Sequence, residues 1–169
     1  MRIKAKIAVL CVALALVFQG CGIYSFSGAS IPAEAKTVSV AYFPNHAQLV
    51  NPMLSNDFST AWRDAMMNQT PLEMVDEGGD LAFEGEITDY RTTPVAITAA
   101  QTAAMNRLTI TVKVRYSNRF DETKDFEQSF SHYEDYPSEQ DLTAVQESLT
   151  ATIIEALVED IFNKALVNW

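Results

Sequence analysis

Hydrophobic and polar positions alternate most strictly over Arg107–Tyr116, where Leu108, Ile110, Val112, Val114 and Tyr116 share one parity and Arg107, Thr109, Thr111, Lys113 and Arg115 share the other. A period of two marks a half-buried β-strand. Thr37–Phe43 alternates in the same way and is stopped by Pro44-Asn45. A longer run from Leu81 to Tyr90 puts Phe83 and Ile87 on one face and Glu84, Glu86 and Thr88 on the other. In a third long run Phe126, Gln128, Phe130 and His132 alternate with Asp125, Glu127, Ser129 and Ser131. The polar linker Phe120–Lys124 is of hairpin length, so this run pairs antiparallel with the Arg107 strand. Parity suggests a register in which Arg119 faces Asp125 and Val114 faces Phe130.

Two stretches carry the helical period instead. Leu54, Phe58, Ala61, Trp62, Ala65 and Met66 form one stripe, and Asn51-Pro52 ahead of them reads as an N-cap with proline at the first helical position. Leu142, Val145, Leu149, Ile153, Leu157, Ile161 and Ala165 form a second stripe, with Ser138 as the expected N-cap and Asp141 in the favourable field of the helix N-terminus. A helix between strands suggests a β-α-β crossover and one parallel pairing. Helices with one apolar stripe and a sheet with one apolar face bury that surface only against each other. The expected fold is therefore an α/β (α+β) two-layer sandwich: a mostly antiparallel sheet of about four strands with two helices on one face.

Ahead of this domain lies a leader. Met1–Gly20 has a basic start and an apolar run, Ile7–Phe18, too short for a comfortable membrane span, which reads as a secretory signal. The run ends in Phe18-Gln19-Gly20-Cys21, similar to a bacterial lipobox, in which the cysteine is acylated and becomes the new N-terminus. Residues 22–36 are rich in Gly, Ser, Pro and Ala and read as a tether. The expected organisation is a signal over 1–20, a lipidated N-terminus and tether over 21–36, and one domain over 37–169.

Composition narrows the function. The chain of 169 residues carries a formal charge of −10, and loss of Arg2, Lys4 and Lys6 with the leader makes the mature protein about −13. So few cations make nucleic acid an implausible ligand. With Cys11 inside the leader, Cys21 is the one remaining cysteine, and a disulfide framework is excluded. No catalytic constellation is legible: His46 and His132 lack nucleophile or metal-ligand partners at useful spacing, Glu77-Gly78-Gly79-Asp80 reads as a turn, and Glu84 with Glu86 reads as a solvated or salt-bridged face. No enzyme, cofactor or metal site is expected.

Two features remain as binding candidates. Thr92–Asn106 contains no charged residue and links two long strands, so Val95, Ile97 and Ala100 are candidate partner contacts. Arg107, Lys113 and Arg115 line one strand face and could meet the phosphates of an anionic glycolipid. Acidic residues of matching parity on both neighbouring strands, Glu84, Glu86, Asp125 and Glu127, could instead consume these cations as cross-strand pairs.

Taken together, Cys21-Gly22-Ile23-Tyr24-Ser25-Phe26-Ser27-Gly28, the β-α-β unit, the strand Arg107–Tyr116, the run Gln128-Ser129-Phe130-Ser131 and the ending Asp160–Trp169 resemble the LPS-assembly lipoprotein family LptE in its Bacteroidota form. The resemblance covers most of the mature chain. It implies an outer-membrane lipoprotein, anchored on the periplasmic side, that plugs the LptD β-barrel, helps it fold and assists placement of lipopolysaccharide in the outer leaflet. The residues alone are equally compatible with a lipid-anchored binding or regulatory module for a cell-wall synthase or another outer-membrane machine.

Overall fold

A computed structural model describes residues 31–49, 51–95 and 104–167. Its elements, in order, are β1 (Thr37–Val40), α1 (Leu54–Gln69), β2 (Glu73–Val75), β3 (Leu81–Val95), β4 (Met105–Asn118), a 3-10 turn at Glu122–Lys124, β5 (Phe126–Pro137) and α2 (Leu142–Leu166). The sheet order is β2-β1-β3-β4-β5, with β1 parallel to both β2 and β3 and the β3-β4-β5 meander antiparallel. This is the expected α+β sandwich with one strand more than expected. The addition, β2, has three residues, too few for a period to be read, and it completes the β-α-β unit with β1 and α1.

The inward parity of β4 is as read: Leu108, Ile110, Val112, Val114 and Tyr116 are all buried. In β3 the inward set changes parity. Leu81, Phe83 and Ile87 are buried, and so is Tyr90, because the pairing with β4 shifts between Ile87 and Asp89. One unpaired residue, Thr88, moves every later side chain to the opposite face.

The β4–β5 register differs from the sequence-based one by two residues. Arg115 faces Glu127, Tyr116 faces Phe126 and Val112 faces Phe130. A slip of two keeps the apolar and polar faces intact, so parity could not discriminate the two registers. The connection decides: Asn118 Oδ1 accepts the N–H groups of Phe120 and Asp121, and Asp125 Oδ1 accepts the Asn118 N–H, so the turn consumes Arg119 and Asp125.

Both helix starts also differ. Asn51 accepts the Met53 N–H through Oδ1 and the Leu54 N–H through its carbonyl, forming a turn ahead of a helix that begins at Leu54. At α2 the cap is Asp141, not Ser138: its carboxylate accepts the Thr143 N–H at 2.9 Å, while the Ser138 N–H donates to the Ala104 carbonyl and stays with the sheet.

The core is one cluster between helices and sheet. An aromatic series runs through it, Trp62 against Phe83 (ring centroids 4.9 Å apart), Phe83 against Tyr116 (4.8 Å), Tyr116 against Phe126 (5.4 Å) and Phe126 against Phe130 (6.2 Å). It ties α1 to β3, β4 and β5. Burial pushes the Tyr116 phenol up to about 12. Polar groups fasten the β1 end: the Arg63 guanidinium donates to the Val40 carbonyl, and Ser59 Oγ accepts the Phe43 N–H. Gly78 turns the chain into β3 with φ 67°, a backbone conformation that disfavours a side chain.

Candidate functional site

The face of the sheet away from the helices carries the basic stripe. Because β4 alternates, Arg107, Lys113 and Arg115 project to this face from the central-to-outer strand, and β3 and β5 place carboxylates beside each of them. Arg107 donates to both oxygens of Asp135, at 2.7 and 2.9 Å, and its guanidinium lies 3.6 Å from the centroid of the Tyr133 ring. Lys113 is paired with Glu127, and Arg115 with Glu84. Arg91 and Asp89 form a further pair on β3. Between the charged ends, Thr111 and Ser131 hydroxyls share a hydrogen bond of 3.0 Å, and the Thr88 hydroxyl donates to the Thr111 carbonyl.

The electrostatics follow from these pairs. The Arg107 hydrogen bonds hold the Asp135 carboxyl below its ordinary value, and the Lys113 hydrogen bond does the same for Glu127. Each cation is raised in turn, first by the hydrogen bond to its carboxylate. Depressed carboxylates stabilise the fold above their unfolded values, 3.8 for Asp and 4.5 for Glu, and that contribution disappears as pH falls through the lower folded values. The melting temperature should therefore fall as pH drops below about 4. Asp135→Asn should flatten that fall measurably, whereas an unaltered acid limb would mean that the Arg107 pair contributes nothing. These groups are solvated at the surface, so the effect is modest.

The sequence reading did not reach Asp135 or Tyr133, because it followed β5 only to His132. Continued alternation, with Tyr136 buried on the parity of Phe130, was the available signal. His132 meets Asp160 of α2 at 2.7 Å, and His46 meets Glu86 at 2.7 Å. Neither pair has a third group arranged for general base catalysis, and among the described residues no cluster of His, Cys, Asp and Glu could hold a metal. Of the candidate partner contacts, Val95 ends β3 opposite Met105, half-buried. Ile97 and Ala100 lie outside the described residues, as does Cys21. The uncharged stretch is shorter as a loop than its composition suggests, since Thr92–Val95 and Met105-Asn106 belong to paired strands.

A cleft of about 920 Å³ between α1 and α2, lined by residues that include Asp57, Ala61, Thr150, Ala151, Ile154 and Glu155, was not foreseen. Most of the lining comes from α2 and the rest from α1 and the turn before it, so neither stripe alone announces it.

The architecture is that of an acidic two-layer α+β sandwich whose open sheet face carries a network of cross-strand ion pairs. The chain belongs to the LptE family, described as lipopolysaccharide-assembly, whose sequence model matches residues 35–165. Among solved structures it is similar to a minor lipoprotein from Acinetobacter baumannii, at 12% identity over 77% of this chain and 91% of that chain, with a TM-score of 0.52. It is also similar to an uncharacterized lipoprotein B from Nitrosomonas europaea, at 13% identity over 79% of this chain and 82% of that chain, with a TM-score of 0.49. At such identities the Acinetobacter likeness concerns the fold alone. No curated protein matches the sequence.

Proposed function

We propose that this protein is a non-enzymatic outer-membrane lipoprotein, acylated on Cys21, that acts as plug and assembly partner of an LptD-like β-barrel in lipopolysaccharide transport to the outer leaflet. The match of the family model to residues 35–165 carries the proposal. Cys21 ends the leader's apolar run, where a lipid would hold the domain at the membrane; several acyl chains anchor durably where one does not. The β3–β4 hairpin gives the domain its reach, since both strands extend well past the short β1 and β2. Its uncharged end, Val95, Ile97 and Ala100, is the part we assign to the barrel.

Affinity purification of the tagged protein from outer membranes tests this reading. A large β-barrel should co-purify, and replacing Val95, Ile97 and Ala100 by Asp should reduce its recovery severalfold without moving the melting temperature. Cys21→Ala should release the protein to the soluble fraction in cells depleted of the barrel. Recovery of a peptidoglycan synthase in place of a barrel would transfer the protein to the regulatory class.

We assign Arg107, Lys113 and Arg115 to sheet electrostatics in preference to a lipopolysaccharide site. A glycolipid phosphate would have to displace Asp135, Glu127 or Glu84 from its cation, against the repulsion of an acidic protein. Changing all three cations to Gln should leave lipopolysaccharide binding by the purified protein intact. Loss of binding at unchanged stability would restore the stripe as a ligand site.

A further inference from the structure

We propose that the cleft between α1 and α2 is a docking groove for a basic, apolar segment of a protein partner. Its charge is of one sign. Asp57 on α1 and Glu147 and Glu155 on α2 stand exposed around it, and no Lys or Arg lines it. Glu147 and Glu155 lie eight residues apart, roughly 12 Å along the helix. Among the described residues none of these three carboxylates has a cation within ion-pairing distance, in contrast to Glu84, Glu127 and Asp135 across the sheet. The apolar lining includes the small residues Ala61 and Ala151 with Ile154 and Val158, so an incoming backbone can approach closely.

Thr150, at 3% exposure, closes the floor of the cleft, its hydroxyl turned toward the Tyr90 hydroxyl beneath it. Apolar anchors in a groove between helices, flanked by cations that meet the rim carboxylates, are a recurring mode of peptide recognition. This proposal stands independently of the barrel reading, because the groove lies on the helical layer and the barrel contact is assigned to the end of the β3–β4 hairpin.

The test uses the full-length lipoprotein in detergent and a fluorescent 18-residue amphipathic peptide of Leu and Lys, with a Leu and Glu peptide of equal length as control. The Lys peptide should bind and the Glu peptide should not. Asp57→Asn with Glu147→Gln and Glu155→Gln should weaken binding by about tenfold or more, and Ala151→Trp, which fills the cleft, should abolish it. A second triple variant, Asp76→Asn with Glu77→Gln and Glu122→Gln, removes the same net charge elsewhere and should leave binding nearly unchanged; equal loss in both triples would reduce the effect to general attraction and overturn the groove. Melting temperatures of all variants verify that they fold. A photo-crosslinker at Ala151 in native membranes, with the captured peptide sequenced, identifies the natural occupant. A basic, apolar segment of another protein supports the proposal, while capture of the tether, residues 22–36, of the same chain or of a second copy overturns it.

Discussion

Trp62→Ala is expected to destabilise the domain by about 4 kcal/mol, a large fraction of the 5–15 kcal/mol that ordinarily separates folded from unfolded domains. The indole is fully buried at the point where α1 meets the sheet, edge-on to Phe83, and so begins the aromatic series that reaches Phe130. Truncation leaves a void bordered by a helix and two strands, neither of which can collapse without breaking its own hydrogen bonds. The indole N–H has no partner in the core, so its loss offsets part of the cost. Trp62→Phe separates the two contributions: it keeps most of the ring volume and deletes the unpaired donor, and should cost about 1–2 kcal/mol. Urea unfolding followed by circular dichroism measures both. Equal losses for Ala and Phe would show that volume at this position is not what the core needs.

The second large effect is at Gly85. A Cβ added there would lie 2.1 Å from the Lys113 carbonyl oxygen and 2.6 Å from Cε1 of Phe43. The Phe43 ring could tilt aside, but the Lys113 peptide cannot, because β4 is held on both sides by β3 and β5. Gly85→Ala should therefore cost about 3 kcal/mol, lowering the melting temperature by roughly 10 °C. Gly78→Ala is the control. Gly78 has a positive φ but open space around its Cα, so its penalty is the left-handed backbone alone, about 1 kcal/mol. A Gly85 variant no worse than the Gly78 variant would remove close strand approach as the reason for glycine in mid-strand.

These two residues illustrate what could be seen in advance. Trp62 stands in a stripe at helical spacing, and its place in the core follows from period alone. Gly85 offers no such signal. In sequence it interrupts an alternating run, and only the approach of β4 and Phe43 gives it a function. The candidate site divides in the same way. Lys113 and Arg115 could be assigned carboxylate partners on the neighbouring strands from parity, since alternate residues share a face. Arg107 could not, because its partner Asp135 depends on how far β5 continues and on a register that parity leaves undetermined in steps of two.

The sequence by itself determined the layers, the two helices, the inward residues of β4 and the family resemblance, because periodicity and local composition are written along one strand of chain. The tertiary structure decided the five-strand order, the two-residue correction of the β4–β5 register, the parity switch at Thr88 and the cleft between α1 and α2. Each of these depends on a distance between segments far apart in the chain: a turn that consumes Arg119 and Asp125, a strand of three residues that forms only beside β1, a bulge defined only against β4, and a concavity that exists only where two helices are held side by side.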